Sequence, residues 1–475
     1  MLGFFAAMIK YLVLVISVGF LFTSCKKDTI LTDKNIQLEF STDTVFFDTV
    51  FTTIGSITER VKIYNPYNQP VEIAQVWLKN GQASNFKLNV DGLQGKMVEN
   101  VRIESNDSIF VFIEVTVDPN GGNSPLVIED QLLININGSI QDVDLIAWGQ
   151  DAYFWPSYAF RFPNDSVALR SDKPNVFYGY SLIDSNTTLV IPKGAAIHFH
   201  ANSGLLVGHN ASLKVRGSID EPVVIQGDRL EDYFKETPGQ WGQIVFTQTS
   251  VSNEIGNAII KNGGIGLSVG YTLNPNVTDR PELRIWNTQI LNMSFIGMIG
   301  IDAEIQAKNL VVSNCGDHAL ALVLGGQYNF KHCTFANYFN DNPRSKPILL
   351  LSNYSESSEG DLFKRDLDAY FGNSIIHGAL DSELQREREK GARFDYLFEE
   401  VILKLDTENI DNVDHFIGIL KNPALPLFQD PSKNDYELVS GSKAVNEGVL
   451  MGVPLDLLGM PRDGTPDLGA YELIP

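Results

Sequence analysis

The amino-acid sequence predicts an all-β protein, in which a sandwich of short antiparallel strands precedes a long coil of parallel strands. Apolar and polar residues alternate in short runs between residues 36 and 150, and turn signals such as Asp-Gly and Asn-Gly separate these runs. A six-residue motif recurs in the second half of the chain. Of the 475 residues, 44% are hydrophobic and 20% are charged, which is typical of a globular protein rather than a disordered one.

The charge balance excludes one class of partner. The chain contains 36 Lys and Arg residues against 58 Asp and Glu residues, so that its net charge is −22. Nucleic acids attract proteins through surfaces rich in Lys and Arg, and we therefore expect no nucleic-acid partner. The 3 cysteines are too few for a disulfide scaffold.

The amino terminus has the features of an export signal. A short apolar run at residues 11–22 follows Lys10, and it is shorter than the roughly 20 residues that a membrane-spanning helix needs. Residues 1–24 are therefore predicted to be a signal peptide, and residues 25–35 a linker. The run ends in Thr23-Ser24-Cys25, which resembles the lipobox of bacterial lipoproteins. The resemblance implies that Cys25 becomes the first residue and carries a lipid that anchors the protein in a membrane. The alternative is an ordinary signal peptide with a chance cysteine.

The residues after this junction bear on location. The segment Lys26-Lys27-Asp28 partly resembles the signals of surface-exposed lipoproteins in Bacteroidetes-like bacteria, although Thr29 stands where a second acid is usual. The resemblance implies an outer-membrane lipoprotein of the cell envelope, with surface exposure favoured over a periplasmic orientation.

Residues 36–152 are predicted to form the sandwich. In the run at residues 109–115, Ile109, Val111, Ile113 and Val115 fall on one face because side chains alternate along a strand. Short strands separated by turns every 8–12 residues or so predict an immunoglobulin-like β-sandwich. Residues 55–73 also resemble the start of the ASH and choice-of-anchor-D sandwiches, which implies a spacer or interaction module without an active site.

The motif of the second half has the pattern N-x-x-φ-x-N, where φ is a large apolar residue, and clean copies begin about 22 residues apart. A period near this length with only short strands predicts a parallel β-helix, in which like residues of successive coils stack. The first positions are predicted to form a structural ladder of turn residues: Asn257, Asn287, Asn309, His332 and Asn373. The φ positions are predicted to form one buried column: Ile260, Ile290, Val312, Phe335 and Ile376.

Residues 160–440 are predicted to form the β-helix, and from about residue 180 to 440 they resemble a known superfamily. The segment Trp241-Gly242-Gln243-Ile244-Val245-Phe246 is similar to a coil that is common in bacterial right-handed β-helix proteins of the pectin-lyase-like superfamily. The resemblance implies a right-handed parallel β-helix. Residues 441–475 resemble the closing segment of many secreted β-helix proteins, and we expect this segment to cap the open end of the coils.

Sequence motifs of known polysaccharide-cleaving β-helices are missing from the chain, so we predict no catalytic residue, no metal site and no cofactor. His198, His200 and His209 lie close together in sequence, but no cysteine or carboxylate at ligand spacing accompanies them. Cys315 and Cys333 are predicted to be buried thiols. A sugar-stacking strip remains an open alternative to simple packing for four aromatic residues: Trp241, Trp286, Tyr328 and Tyr338.

Two classes of function remain. The first is a non-catalytic lipoprotein that presents its β-helix surface to a polysaccharide or a cell-surface protein. The second is a carbohydrate-active enzyme, a polysaccharide lyase or a glycoside hydrolase, with an unrecognised site. The aligned outward positions favour the first class because they are neutral, and we expect them to pack against a protein or an inserted loop. These positions are Ile259, Gln289, Val311, Thr334 and Ile375.

Overall fold

The computed structural model describes residues 29–52, 55–117, 126–156, 166–271, 279–338, 344–357, 359–406 and 410–473. The predicted signal peptide, Cys25 and the first part of the linker lie outside these residues. The described residues divide into two compact units, the first ending at Gly149 and the second beginning at Gln150. Within the described residues, single-turn 3-10 helices occur at Gly81–Ala83, Asp232–Phe234 and Pro431–Lys433.

The first unit consists of two five-stranded sheets, in the orders β1-β3-β8-β5-β6 and β2-β10-β9-β4-β7. Neighbouring strands such as β3 and β8, or β9 and β10, run antiparallel. The strands are β1 (Glu39–Phe40), β2 (Thr44–Phe51), β3 (Glu59–Tyr64), β4 (Val71–Leu78), β5 (Phe86–Val90), β6 (Leu93–Gly95), β7 (Met97–Ile103), β8 (Ser108–Val115), β9 (Leu126–Ile136) and β10 (Ser139–Gln150).

The core of the first unit follows from the alternation along these strands. Ile109, Val111, Ile113 and Val115 of β8 are buried, as the sequence predicted, while the residues between them face outward. Inward residues of both sheets belong to one hydrophobic cluster, in which Phe47 of β2 and Phe86 of β5 have ring centroids 5.5 Å apart. The two sheets therefore share a single core.

The second unit contains a 23-stranded sheet in which successive coils pair in parallel, and two small antiparallel hairpins, β29–β30 and β36–β37. Its strands up to β24 are β11 (Tyr153–Pro156), β12 (Ser166–Ala168), β13 (Asn175–Tyr178), β14 (Tyr180–Ile183), β15 (Thr188–Pro192), β16 (Ala196–Phe199), β17 (Gly204–Val207), β18 (Ser212–Arg216), β19 (Val223–Gly227), β20 (Ile244–Thr247), β21 (Asn253–Gly256), β22 (Ala258–Lys261), β23 (Leu267–Tyr271) and β24 (Glu282–Leu291). The later strands are β25 (Met298–Ser313), β26 (Leu320–Lys331), β27 (Thr334–Asn337), β28 (Leu349–Ser352), β29 (Tyr354–Glu356), β30 (Leu362–Lys364), β31 (Leu367–Gly372), β32 (Ile375–Gly378), β33 (Leu384–Glu387), β34 (Phe394–Leu403), β35 (Phe416–Lys421), β36 (Phe428–Asp430) and β37 (Asp435–Leu438).

Each coil passes through three faces in the same order, so the second unit is a parallel β-helix-like domain, as predicted. Face 1 contains β17, β20, β23, β28, β33 and the first parts of β25 and β26. Face 2 contains β15, β18, β21, β31, the first parts of β24 and β34, the middle of β25 and the second part of β26. Face 3 contains β16, β19, β22, β27, β32 and the last parts of β24, β25 and β34.

The ladder residues occupy the sharp turn between faces 2 and 3. From Asn257 to Asn373 the five predicted positions have φ values of 45° to 51°, a left-handed conformation that Asn tolerates better than most residues. Their side chains also bond from coil to coil. The Nδ2 of Asn287 donates to Oδ1 of Asn257 at 3.2 Å, and Nδ2 of Asn309 donates to Oδ1 of Asn287 at 2.9 Å.

The predicted buried column is confirmed. Strand pairing places Ile260 beside Ile290, Ile290 beside Val312, and Val312 beside Phe335, which is followed by Ile376. All five side chains are fully buried. Because neighbouring parallel strands lie about 4.8 Å apart, each side chain rests directly on the next.

The carboxy-terminal segment differs from the sequence prediction of an end cap for residues 441–475. Its contacts run along the side of the coils, where Leu468 and Ala470 join Val311, Ile375 and other outward residues of face 3 in a third hydrophobic cluster. The Nδ2 of Asn309 donates to the carbonyl of Leu455 at 2.8 Å. The outward apolar residues of face 3 are therefore covered by the carboxy-terminal segment of the same chain. This packing is favourable because it removes the apolar surfaces of face 3 and of the segment from water.

Candidate functional site

A groove of about 700 Å³ runs across face 2 of the second unit. Its floor is formed by outward side chains of β21, β24, β25 and β26, and residues 451–453 of the carboxy-terminal segment form one wall. The polar and aromatic residues that line it are Glu254, Arg284, Trp286, Gln306, Lys308, Asn329 and Lys331.

Strand register arranges these side chains in two outward columns. One column runs from Lys214 through Glu254, Arg284 and Gln306 to Asn329. The other column runs from Arg216 through Gly256, Trp286 and Lys308 to Lys331. Neighbours in a column belong to successive coils, so Lys308 and Lys331 lie about 4.8 Å apart along the stacking direction.

The groove is basic, although the chain as a whole is acidic. The single carboxylate among its lining residues, Glu254, is paired with two cations: Lys214 Nζ at 3.2 Å and Arg216 Nη1 at 2.6 Å. The cationic lining residues Arg284, Lys308 and Lys331 therefore outnumber the acidic ones. Walls of low dielectric constant strengthen such a field and favour an anionic ligand.

Trp286 lies on the floor of the groove, and Gly256 of the preceding coil makes room for it. A Cβ atom at Gly256 would stand 2.3 Å from Cε2 and Cζ2 of the indole ring. The indole ring thus occupies the space above Gly256, and any side chain larger than that of glycine at this position would overlap the ring. A partly exposed indole between cations offers a surface on which a sugar ring can stack.

One end of the groove carries a hydrogen-bonded pair beyond its lining residues. The hydroxyl of Tyr370 donates to Oε2 of Glu399 at 2.6 Å, and burial together with this carboxylate raises the pKa of Tyr370. Lys331 Nζ lies 3.5 Å from the carbonyl oxygen of Met451 on the opposite wall. Because its pKa is raised, the hydroxyl of Tyr370 stays protonated at neutral pH and is a hydrogen-bond donor at this end of the groove.

The histidines singled out in the sequence do not form one site. His198 is buried with Nδ1 2.8 Å from the carbonyl oxygen of Gly227, and burial lowers its pKa to about 4. His200 pairs with the buried Asp228 at 2.7 Å. His209 is exposed. Among the described residues, no group of three or more His, Cys, Asp or Glu side chains is arranged to hold a metal ion.

Of the four candidate aromatic residues, the structure places one in the groove. Trp286 lines it, whereas Trp241 is 2% exposed and stacks on Phe199 in the interior. Tyr328 is also buried, and the hydroxyl of Tyr338 bonds to His377. The idea of a continuous aromatic strip is therefore wrong.

Cys315 and Cys333 are free and buried, as predicted, and burial raises the pKa of each thiol to about 12. Such thiols remain protonated and unreactive at neutral pH.

In the part of the chain that the structure describes, no helix has the length and hydrophobicity of a membrane span.

The comparisons with known proteins add little to this geometry. No protein-family model matches the chain, and no curated protein matches it. One similar solved structure is the A-module of the mannuronan C-5 epimerase AlgE6 of Azotobacter vinelandii, at 11% identity and a TM-score of 0.28, covering 58% of this chain and 90% of that chain. Another is a family 123 glycoside hydrolase of Clostridium perfringens, at 11% identity and a TM-score of 0.18, covering 24% of this chain and 26% of that chain. These values are too low for either likeness to support an inference about function.

Proposed function

We propose that this protein is a cell-envelope lipoprotein that binds an acidic polysaccharide in the groove of face 2 and does not cleave it. The observation that carries the proposal is the excess of cations around a stacking platform in an acidic chain. Arg284, Lys308 and Lys331 supply charge-assisted hydrogen bonds for carboxylate or sulfate groups. Trp286 supplies the stacking surface, and the amides of Gln306 and Asn329 supply donors and acceptors for hydroxyl groups.

The repeat of the coil suits a linear polymer. Each coil adds one residue to each column, and coils follow one another at about 4.8 Å, close to the length of one sugar in an extended chain. A polymer of uronic acids that lies along the stacking direction would therefore meet one set of side chains per sugar. Repetition of a weak contact in this way gives useful affinity without a deep pocket.

The alternative function, a carbohydrate-active enzyme, has less support. A glycoside hydrolase needs two carboxyl groups roughly 5–9.5 Å apart. Among the residues that line the groove, Glu254 is the one carboxylate, so the groove lining does not offer such a pair. A lyase needs a base, and the raised pKa of Tyr370 keeps its hydroxyl protonated.

The remaining parts of the proposal rest on the sequence. The coil is right-handed, as in the superfamily that the sequence resembles, and the first unit is an immunoglobulin-like spacer. Cys25 carries the lipid, and the protein faces the outside of the outer membrane. If so, replacing Cys25 by Ser moves the protein from the membrane fraction to the soluble fraction, and a variant that stays membrane-bound with unaltered mass contradicts the anchor.

Binding of polygalacturonate and alginate, measured by calorimetry, tests the groove. We expect both polymers to bind and fully methyl-esterified pectin, which lacks the charge, to bind much more weakly. The double substitution Lys308→Gln and Lys331→Gln should weaken binding at least tenfold, which is about 1.4 kcal/mol. The matched control is Lys235→Gln with Lys433→Gln, since both side chains are largely exposed and lie outside the groove lining. An equal loss in both double variants would show that net charge, and not the groove, attracts the polymer.

Incubation with the same polymers, with and without calcium, tests the absence of cleavage. We expect no unsaturated or reducing ends to appear. Release of such ends that disappears on Tyr370→Phe would make the protein an enzyme with Tyr370 as its acid.

A further inference from the structure

The first unit carries a cluster of cations and aromatic rings on one outer sheet face. On the outer face of the sheet β1-β3-β8-β5-β6, Phe110 and Phe112 are 37% and 38% exposed, and their ring centroids are 5.9 Å apart. Lys62 Nζ lies 5.5 Å from the centroid of Phe110, and Cζ of Arg60 lies 5.8 Å from it. Exposed apolar surface that polar residues surround can mark an interaction site, and here two cations lie beside the rings.

A concave site adjoins these rings. A pocket of about 690 Å³ is lined by Phe112, and its polar lining residues are Thr58, Lys87, Asn89, Gln94, Lys96 and Glu114. Thr58 Oγ1 donates to Oε1 of Glu114 at 2.8 Å. Register places Phe112 between Arg60 and Asn89 on the neighbouring strands, so the ring lies on the sheet with cations and amides around it.

The charge of this face is opposite to that of the other sheet. Glu39 and Glu114 face outward here beside four cations: Arg60, Lys62, Lys87 and Lys96. The outer face of β2-β10-β9-β4-β7 instead carries acidic residues, among them Glu72, Glu99, Glu129, Asp142 and Asp144. The segregation makes one side of the unit attractive to anions, although the chain is acidic.

We propose that this face of the first unit, centred on Phe112, is a second binding site for an acidic glycan. The face combines an aromatic surface, amide groups and cations, as the groove of the second unit does, and a sugar acid needs all three. Apolar hydrogens of the ring stack on Phe112, hydroxyl groups bond to Asn89 and Gln94, and the carboxylate pairs with Lys87. The ligand class rests on the proposed function, while the site itself is independent of the groove.

Calorimetry of the full chain with a short oligogalacturonate tests the second site, because a short oligomer occupies each site separately. We expect two oligomers to bind per chain. The double substitution Lys87→Gln and Phe112→Ala should remove one of them and leave the other unchanged, and Lys308→Gln with Lys331→Gln should remove the opposite one. The matched control is Lys79→Gln with Phe46→Ala, because Phe46 lies on β2 of the other sheet and is 60% exposed, and Lys79 directly follows β4 of that sheet.

The outcomes separate this proposal from the proposed function. One bound oligomer that only the groove variant removes would overturn the second site and leave the groove. One bound oligomer that only the Lys87 and Phe112 variant removes would overturn the groove and leave the second site. A polyglutamate peptide of equal charge is the third arm, and equally tight binding of this peptide to the Phe112 face would replace the glycan by an acidic protein segment. Circular dichroism of every variant excludes loss of folding as the cause.

Discussion

The Nδ2 of Asn373 lies 2.9 Å from Nε2 of His332, so that a histidine takes part in a ladder built otherwise from asparagines. The Oδ1 of Asn373 accepts the backbone N–H of Val449 at 3.1 Å, which turns its Nδ2 toward the imidazole. With this orientation of the amide, Nε2 of His332 accepts the bond, which requires a neutral ring. Burial, together with the charge of Arg462, lowers the pKa of His332 to about 3.

This geometry predicts that acid destabilises the coils. Between pH 6.5 and about 3 the unfolded chain binds a proton at this histidine and the folded chain does not, so the free energy of unfolding falls as the pH is lowered through this range. The fall is on the order of 1.4 kcal/mol per pH unit for one such group, and His198 and His377, whose pKa values are lowered to about 4, add to it. Urea unfolding at pH 7, 6, 5 and 4 measures it.

The variant His332→Asn isolates the contribution of the ladder. Asparagine occupies the corresponding turn in neighbouring coils with the same left-handed φ, so the variant should fold and should lose stability less steeply toward acid. His209→Asn is the control, because His209 is exposed. Equal slopes for His332→Asn and the unsubstituted protein would mean that this histidine is not buried in its neutral form.

The buried column predicts a large cost for one deletion. Phe335 packs against Phe330 and Phe371, with centroid distances of 5.6 Å and 6.2 Å. Phe335→Ala should lower the free energy of unfolding by about 3–5 kcal/mol, because the coils above and below hold the cavity open. Phe295→Ala, at a side chain that is 63% exposed, should cost far less. Similar denaturation midpoints for both variants would contradict the stacking of this column.

Arg462 holds the carboxy-terminal segment to the ladder. Its guanidinium is 1% exposed and donates to Glu472 at 2.8 Å and to Oδ1 of Asn309 at 3.2 Å. Arg462→Met should cost on the order of 3 kcal/mol, because it leaves the largely buried Glu472 without its cation. Hydrogen exchange should rise in residues 441–473, and the uncovered apolar residues of face 3 should bind a hydrophobic dye. Arg393→Met, at a largely exposed pair, should change neither quantity.

The coil and its ladder could be predicted from the sequence because stacking repeats the same local chemistry in every turn. A left-handed turn favours Asn, and an inward position requires an apolar residue. Both kinds of residue therefore recur in the sequence once per coil. The residue two positions before each ladder residue is apolar and buried, as Ile285 and Phe330 show. The residues on either side of it therefore point outward, and they include Arg284, Trp286 and Lys331.

The groove could not be predicted from the repeat, because the motif N-x-x-φ-x-N covers the turn and face 3, whereas the charged residues of the groove lie on face 2. Ile259, Val311 and Ile375 are apolar because the carboxy-terminal segment, which is distant in sequence, covers face 3. A period of about 22 residues cannot reveal that residues of face 3 and of the carboxy-terminal segment, such as Val311 and Leu468, share one hydrophobic cluster. Residues 441–475 resemble a closing segment, and the sequence therefore predicted an end cap. The motif identifies such a segment but does not indicate which part of the coils it contacts.

The last prediction concerns the floor of the groove. A methyl group at Gly256 would overlap the indole of Trp286, so Gly256→Ala should displace the ring and weaken polygalacturonate binding by about tenfold, or about 1.4 kcal/mol. Gly441→Ala is the control, since a Cβ atom there meets no atom within 4 Å. The decisive measurement is a double-mutant cycle, in which Gly256→Ala should have no further effect on binding once Trp286 is already alanine. If the two effects simply add, Gly256 acts on binding through something other than the indole, and the stacking surface is not where the geometry of face 2 places it.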